Sequence, residues 1–299
     1  MADFFESVFR ALMVGMVTGT IYGLIGLGVV LIYKAQRVIN FAQAEIATFA
    51  AFMLYLFHAQ LGVPYVAAML IALVLAVALS VLVERVVIKP LRNAPDVTVF
   101  VATAGVALFL IALTFLIGGA NIVIVDPLFG ALEDQISNRP VLGLVSPQRL
   151  LVLAILIGFS LSLAWFFAKK PLGRAILAMS AEPFAVRLAG ISSDRMSMVV
   201  WGMAGLLAGA AGVAFIPTSA LTPGYFTANA LIPALTSIVV GGLTSLPGAL
   251  VGGLMIGFLS ELTAQFTPAT VPSPNIIAAF VILLLTLLFR PKGLLAREA

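Results

Sequence analysis

The stretch Ile39-Asn40-Phe41-Ala42-Gln43-Ala44-Glu45 sets two amides and a carboxylate between two long apolar runs, 12–33 and 46–61. Asn40 and Gln43 lie one turn apart if helical, so both amides can face one way with donors and acceptors. In a strongly apolar chain such groups have two uses. They hold a solute along a route, or they hydrogen-bond helices into an internal lock. A charge at the bilayer centre costs about 2.5–3.5 kcal/mol on insertion scales. Glu45 therefore calls for a partner, with Lys34 and Arg37 the nearest cations in sequence. The chain has no Cys and one His, His58, which excludes disulfides, thiolate metal sites, Cys nucleophiles, a metal cluster and a Ser-His-Asp arrangement. His58 reads as an interfacial side chain at the end of a span.

The elements that position these groups must be membrane helices. Hydrophobic residues make up 62% and charged residues 9% of 299 positions, where a soluble chain has about 45–50% and about 25%. The class is all-α: a polytopic integral membrane protein, one transmembrane domain over 1–299, with essentially no extramembrane domain. Asp3 and Glu6 at the start make residues 1–10 an amphipathic lead-in rather than a cleavable signal.

About 20 apolar residues cross the hydrocarbon. Runs at 12–33, 46–61, 64–83, 97–117, 150–168 and 198–216 qualify, followed by a Gly- and Pro-punctuated region at 231–265 and a last span at 275–289. That makes about eight hydrophobic segments. Of the sixteen Lys and Arg, all but Arg10, Arg139 and Arg149 fall in four clusters, after the first, third, fifth and last spans. Cytoplasmic loops hold the positive excess, which predicts an external N-terminus and a cytoplasmic C-terminus. Region 231–265 must then pass an even number of times. Residues 231–243 reach only about 20 Å as helix, so a short helix, a turn at Ser245-Leu246-Pro247-Gly248 and a returning helix are predicted, buried against protein. Gly15/Gly19/Gly23, Gly205/Gly209, Gly248/Gly252 and Gly253/Gly257 make flat stripes for close helix approach, within the chain or toward a partner. Glu261 is expected near the outer interface.

The cytoplasmic segment 169–195 is the second informative place. Ser180 can cap a short helix over 181–189, with Glu182 and Pro183 suited to its first turn and Gly190 a stop. Phe184 and Leu188 lie one turn apart beside Arg187, an apolar knob with a charged flank. Such a helix either lies among lipid headgroups or docks in a groove on a soluble partner.

Gly28-Val-Val-Leu-Ile-Tyr33-Lys34 and Val38-Ile-Asn40-Phe41-Ala42-Gln43-Ala44-Glu45 resemble the opening of the LivH-type permeases of branched-chain amino-acid ABC importers. Three further blocks agree in order: Gly173-Arg174-Ala175 to Gly190-Ile191; Val239-Val240-Gly241-Gly242-Leu-Thr-Ser245-Leu-Pro247-Gly248-Ala249 with Gly252-Gly253; and Phe289-Arg290-Pro291-Lys292-Gly293-Leu294. Ala44 departs from the family, which usually has Gly there. The resemblance implies a bacterial inner-membrane subunit working with a second, LivM-like permease, two cytoplasmic ATPases and an extracytoplasmic substrate-binding protein. It makes Gly173, Arg174, Glu182, Phe184, Arg187, Leu188 and Gly190 the ATPase-coupling residues. The chain has no phosphate-binding Gly-x-x-x-x-Gly-Lys-Ser/Thr loop, so ATP chemistry must come from another chain; no cofactor, metal or nucleic-acid partner is expected.

On this reading Asn40, Gln43 and Glu45, with the Ser245, Pro247 and Gly248 turn, border the translocation route, and the receptor docks outside near 118–148, whose polar run 133–139 offers charged contacts. A zwitterion needs donors and acceptors; an aliphatic side chain needs apolar wall. The competing use of Asn40 and Gln43 is to brace a broken helix, and that of Glu45 is an ion pair with Lys34 or Arg37. The alternative class is an ion-coupled secondary transporter, which would need an internal repeat and buried ionisable groups.

Overall fold

The computed structural model describes residues 2–128, 130, 147–181, 192–290 and 293. The first apolar run folds as α1, Ala2–Gln36, the helix on which the later core helices pack. Then come α2 (Gln43–Leu54, prolonged by wide π turns over Tyr55–Gln60), α3 (Tyr65–Val83, prolonged likewise over Glu84–Ile88), α4 (Asp96–Gly118) and α5 (Pro147–Lys169). A short α6 (Pro171–Ala181) precedes α7 (Ser193–Phe215), a five-residue α8 (Tyr225–Asn229), α9 (Leu231–Gly241), α10 (Leu246–Phe266) and α11 (Pro274–Phe289). Among the described residues the sole extended pairing is an antiparallel bridge, Val123 to Leu221. It ties the segment after α4 to the one after α7.

Six of these helices are long and apolar enough to cross a bilayer: α1, α3, α4, α5, α7 and α10, with α9 and α11 shorter. In α1, 89% of the apolar window is buried, and in α7 78%, against 28% in α3 and 22% in both α4 and α5. Hence α1 and α7, with the wholly buried α2, form the core, and α3, α4 and α5 expose side chains such as Val74, Leu108, Leu116 and Leu161 to lipid. An apolar helix gains nothing by turning one face from lipid, so association rests on packing and backbone approach. The glycines supply that approach. A Cβ at Gly15 would lie 2.9 Å from the Gly257 carbonyl oxygen, and one at Gly19 2.9 Å from that of Gly253. Across the core, a Cβ at Gly205 would lie 2.8 Å from the Ala76 carbonyl oxygen on α3, and Gly212 sits on Ala47 of α2. Each of the four stripes packs inside the chain.

The 231–265 hairpin forms as its length demands. Helix α9 is short and α10 returns beside it, with Gly241 against Gly248 and Gly252 against Ser237. The turn falls slightly earlier than expected, at Gly242 (φ +102°), a backbone conformation that glycine tolerates and other residues do not. Ser245 caps α10, its hydroxyl accepting from Gly248 N at 3.0 Å, with Pro247 in the first turn. The tip lies at the basic end of the bundle, where Lys34 Nζ donates to the Thr244 carbonyl at 3.3 Å. The far end of α10 returns to the start of α1, with the Phe266 and Phe4 rings 5.6 Å apart.

Candidate translocation site and coupling surface

Helix α1 ends at Gln36, and Arg37, at φ 61°, turns the chain back into the bundle. By Gln43 it has returned to the level of Gly28, whose Cα faces the Gln43 amide. Eight residues of helix separate Gly28 from Gln36, so α2 begins about 12 Å inside the end of α1. Irregular backbone at that depth needs internal hydrogen bonds, and the amides provide them. Asn40 Oδ1 accepts from Ala42 N at 3.0 Å and Asn40 Nδ2 donates to Gln43 Oε1 at 3.2 Å. Gln43 Nε2 donates to the Ala204 carbonyl of α7 at 2.8 Å. Asn40, Gln43 and Glu45 are all fully buried. In this conformation the two amides bond to one another and brace α2 against α7, and Asn40 precedes the helix, so the helical spacing that would turn both amides one way does not apply.

Glu45 lacks the ion pair expected for it. Its Oε1 accepts from Thr227 N of α8 at 3.0 Å, and its Oε2 meets no hydrogen-bond partner among the described residues. The reversal at Arg37 explains the difference, since it carries Glu45 inward while Lys34 and Arg37 stay at the basic end. There Lys34 reaches Thr244, and the Arg37 guanidinium lies over the Tyr33 ring.

Ser245, Pro247 and Gly248 lie at the basic end on the other side of α1. Gly26 faces Ile238 and Ser237 of α9, whereas Gly28 faces Gln43. Two residues on a helix are about 200° apart, so α1 stands between the hairpin and the Asn40 segment. The structure does not bring these two sets of predicted residues together.

Of the coupling residues, Gly173 and Arg174 lie on α6. That helix doubles back on α5 so tightly that Gly173 sits against the Phe166 carbonyl; Ile176 is buried and Arg174 exposed. The α6 helix rests on α1, α5 and α7. Ser180 falls inside α6 rather than at a helix start. Glu182, Phe184, Arg187, Leu188 and Gly190 lie outside the described residues, as does the polar run 133–139.

A cluster that the sequence reading missed joins α1, α3 and α7 at the basic end. Trp201 Nε1 donates to Gln36 Oε1 at 2.9 Å, Gln36 Nε2 donates to Ser197 Oγ, and Ser197 Oγ donates to Glu84 Oε1 at 2.5 Å. Arg92 reaches Glu84 at 3.4 Å and Asp194 at 2.6 Å, and Lys89 reaches Asp194 at 2.6 Å. Glu84 is 1% exposed. The available signal was an acid set among Arg85, Lys89 and Arg92, residues that had served only to orient the chain.

The family model described as branched-chain amino acid transport system, permease component, matches residues 11–289. The chain belongs to this permease family. Two relatives are the high-affinity branched-chain amino acid permeases LivH of Salmonella typhimurium, 27% identical over 95% of this chain and 94% of the relative, and BraD of Pseudomonas aeruginosa, 28% identical over 95% and 94%. In fold the chain is similar to the solved PsaBC structure from Streptococcus pneumoniae, with a TM-score of 0.51 and 14% identity over 95% of this chain and 91% of that one. Permeases of this family are multi-pass subunits of ABC transport systems, without catalytic chemistry or a cofactor of their own. This bears out the LivH-type resemblance.

Proposed function

We propose that this chain is the permease half of an ATP-driven importer of branched-chain or closely related amino acids. It pairs with a second permease, two cytoplasmic ATPases and an extracytoplasmic receptor. The observation that carries the reading is the family match along nearly the whole chain, 11–289. The geometry supports it: α6 rests on the basic ends of α1, α5 and α7, where a push from an ATPase would reach the core helices directly. The basic end is cytoplasmic by its charge. Residues 173–190, with Phe184, Arg187 and Leu188 as the knob, dock on the ATPase, and 118–148 faces the receptor. Solute passes beside α2. There the Asn40–Gln43 brace releases its amides as α2 and α7 part, Glu45 lies two residues further along, and the Ser245–Pro247–Gly248 turn borders the cytoplasmic side. Alternating access requires the ligands to bind the two states differently, and a brace made in one state and broken in the other supplies such a difference.

The test is reconstitution of the chain with its partners in liposomes. Labelled leucine should accumulate only with ATP and loaded receptor, and uptake driven by an ion gradient alone would favour the secondary transporter. Alanine at both Asn40 and Gln43 should lower uptake at least tenfold while the complex still co-purifies; unchanged uptake removes them from the route.

A further inference from the structure

A cavity of about 80 Å³ lies between α1, α8, α10 and α11, beside Tyr22 at the middle of the apolar run 12–33. Thr18, Tyr22, Tyr225, Asn229, Glu261 and Asn275 bring polar groups to it, and none of the described residues lining it is basic. One wall is aromatic: the rings of Phe215, Tyr225 and Phe226 lie 5.3–5.6 Å apart, centroid to centroid. A carboxylate within a membrane bundle normally meets a cation or marks a solute pathway. Among the described residues no side-chain cation lines this cavity, so the complement of Glu261 has to arrive from elsewhere.

We propose that this cavity is the outer waiting site of the route, where Glu261 recognises the α-ammonium of an incoming amino acid. The inference rests on the importer reading and adds to it a site and a chemical preference. An ammonium group brings three donors, which Glu261 and the side-chain carbonyls of Asn229 and Asn275 can accept. Faces of the aromatic wall add cation–π attraction. The cavity admits a charged head but not a whole aliphatic amino acid, so it widens as the solute enters. Its position orders the steps. Tyr22 precedes Gly28 along α1, so solute from the non-basic end meets Glu261 before the Asn40–Gln43 brace. Helix α8 forms one wall, and Glu45 holds it from behind through Thr227 N. Occupancy of the cavity therefore bears on the element that touches the start of α2.

Saturation-transfer NMR on the purified complex without receptor tests this with three probes: leucine, 3-methylbutylamine, which keeps the ammonium, and 4-methylpentanoate, which keeps the carboxylate. Signal is expected for leucine and the amine and not for the acid. Glu261→Gln should weaken the amine at least tenfold, and Glu261→Asp should restore part of it. Equal signal from the acid, no amine signal in the native complex, or an amine signal indifferent to Glu261→Gln overturns the site. The probe series on the native complex stands even if a variant fails to assemble. If the native complex imports leucine with ATP yet fails this test, the waiting site alone is wrong; if it shows no ATP-driven uptake, the importer reading itself fails.

Discussion

At the scale of single residues, burial decides which charge matters. Asp194 makes two close ion pairs, with Lys89 and Arg92, but the side chains are 34–45% exposed. Exposed pairs of this kind contribute about 0.2–1 kcal/mol. Glu84 makes the longer contact with Arg92 yet is 1% exposed and takes the Ser197 hydroxyl as well. Removing a buried acceptor strands its donors at a cost of about 1–3 kcal/mol. Glu84→Ala should therefore lower the unfolding midpoint of the detergent-purified complex clearly more than Asp194→Asn. The reverse order would mean that the exposed pair, not the buried carboxylate, anchors α3 to α7. None of this was legible in the sequence. Glu84 sits among cations that read equally well as a solvated cluster, and its burial depends on where Gln36 and Ser197, 48 positions before it and 113 after, end up. Glu45 was misread for a related reason: proximity in sequence pointed to Lys34 and Arg37, and a single backbone reversal at Arg37 moved it out of their reach. The amides were legible as polar groups needing partners inside an apolar chain, but their helical spacing was not the geometry that joins them, since Asn40 lies ahead of α2.

Among the elements, the glycine stripes were readable as surfaces but not as pairs. An apolar helix without an amphipathic stripe says little about which neighbour it meets, and α1 is nearly buried on all sides. The four-residue glycine spacing in both α1 and α10 was the available clue, and the structure matches one to the other in antiparallel register. The hairpin was more accessible, since too few residues to cross and a Gly/Pro turn leave few arrangements. Close backbone contact gives a sharp contrast. A methyl at Gly19 would lie 2.9 Å from both the Gly253 carbonyl oxygen and the Leu254 Cα, and main chain cannot swing aside as a side chain does. Overpacking of this kind costs about 1–3 kcal/mol. A methyl at Gly105 on α4 meets nothing within 4 Å, and exchanging Gly for Ala in a helix interior gains about 1 kcal/mol. Gly19→Ala should lower the thermal midpoint and the yield of assembled complex, while Gly105→Ala leaves them unchanged or slightly raised. Equal losses at both sites would show that the α1–α10 contact is not what makes Gly19 irreplaceable.

For the whole molecule, one handedness of insertion is consistent with its charge. The ends of α1, α3, α5 and α11 and the starts of α6 and α7 carry Lys34, Arg85, Lys169, Arg290, Arg174 and Arg195, whereas among the described residues the opposite end offers Arg10, paired with Glu6 at 3.6 Å, and Arg149 at the start of α5. The positive excess belongs on the cytoplasmic side. The hairpin keeps this count intact: α9 descends to the basic end, α10 climbs back to Phe4, and α11 descends once more. Were the hairpin a single crossing, Arg290 would stand on the opposite side from Lys34. The absence of Cys makes the arrangement directly measurable, because any introduced Cys is the sole thiol of the chain. Gln60, Asn121 and Thr270 are exposed at the non-basic end and Asn93 at the basic end. With a membrane-impermeant maleimide on intact spheroplasts, Gln60→Cys, Asn121→Cys and Thr270→Cys should react at once, and Asn93→Cys only after permeabilisation. Reaction of Asn121→Cys and Thr270→Cys from different sides would break the hairpin count. Reaction of all three only after permeabilisation would invert the molecule, turn α6 away from the ATPases, and leave the proposed coupling surface with nothing to push it.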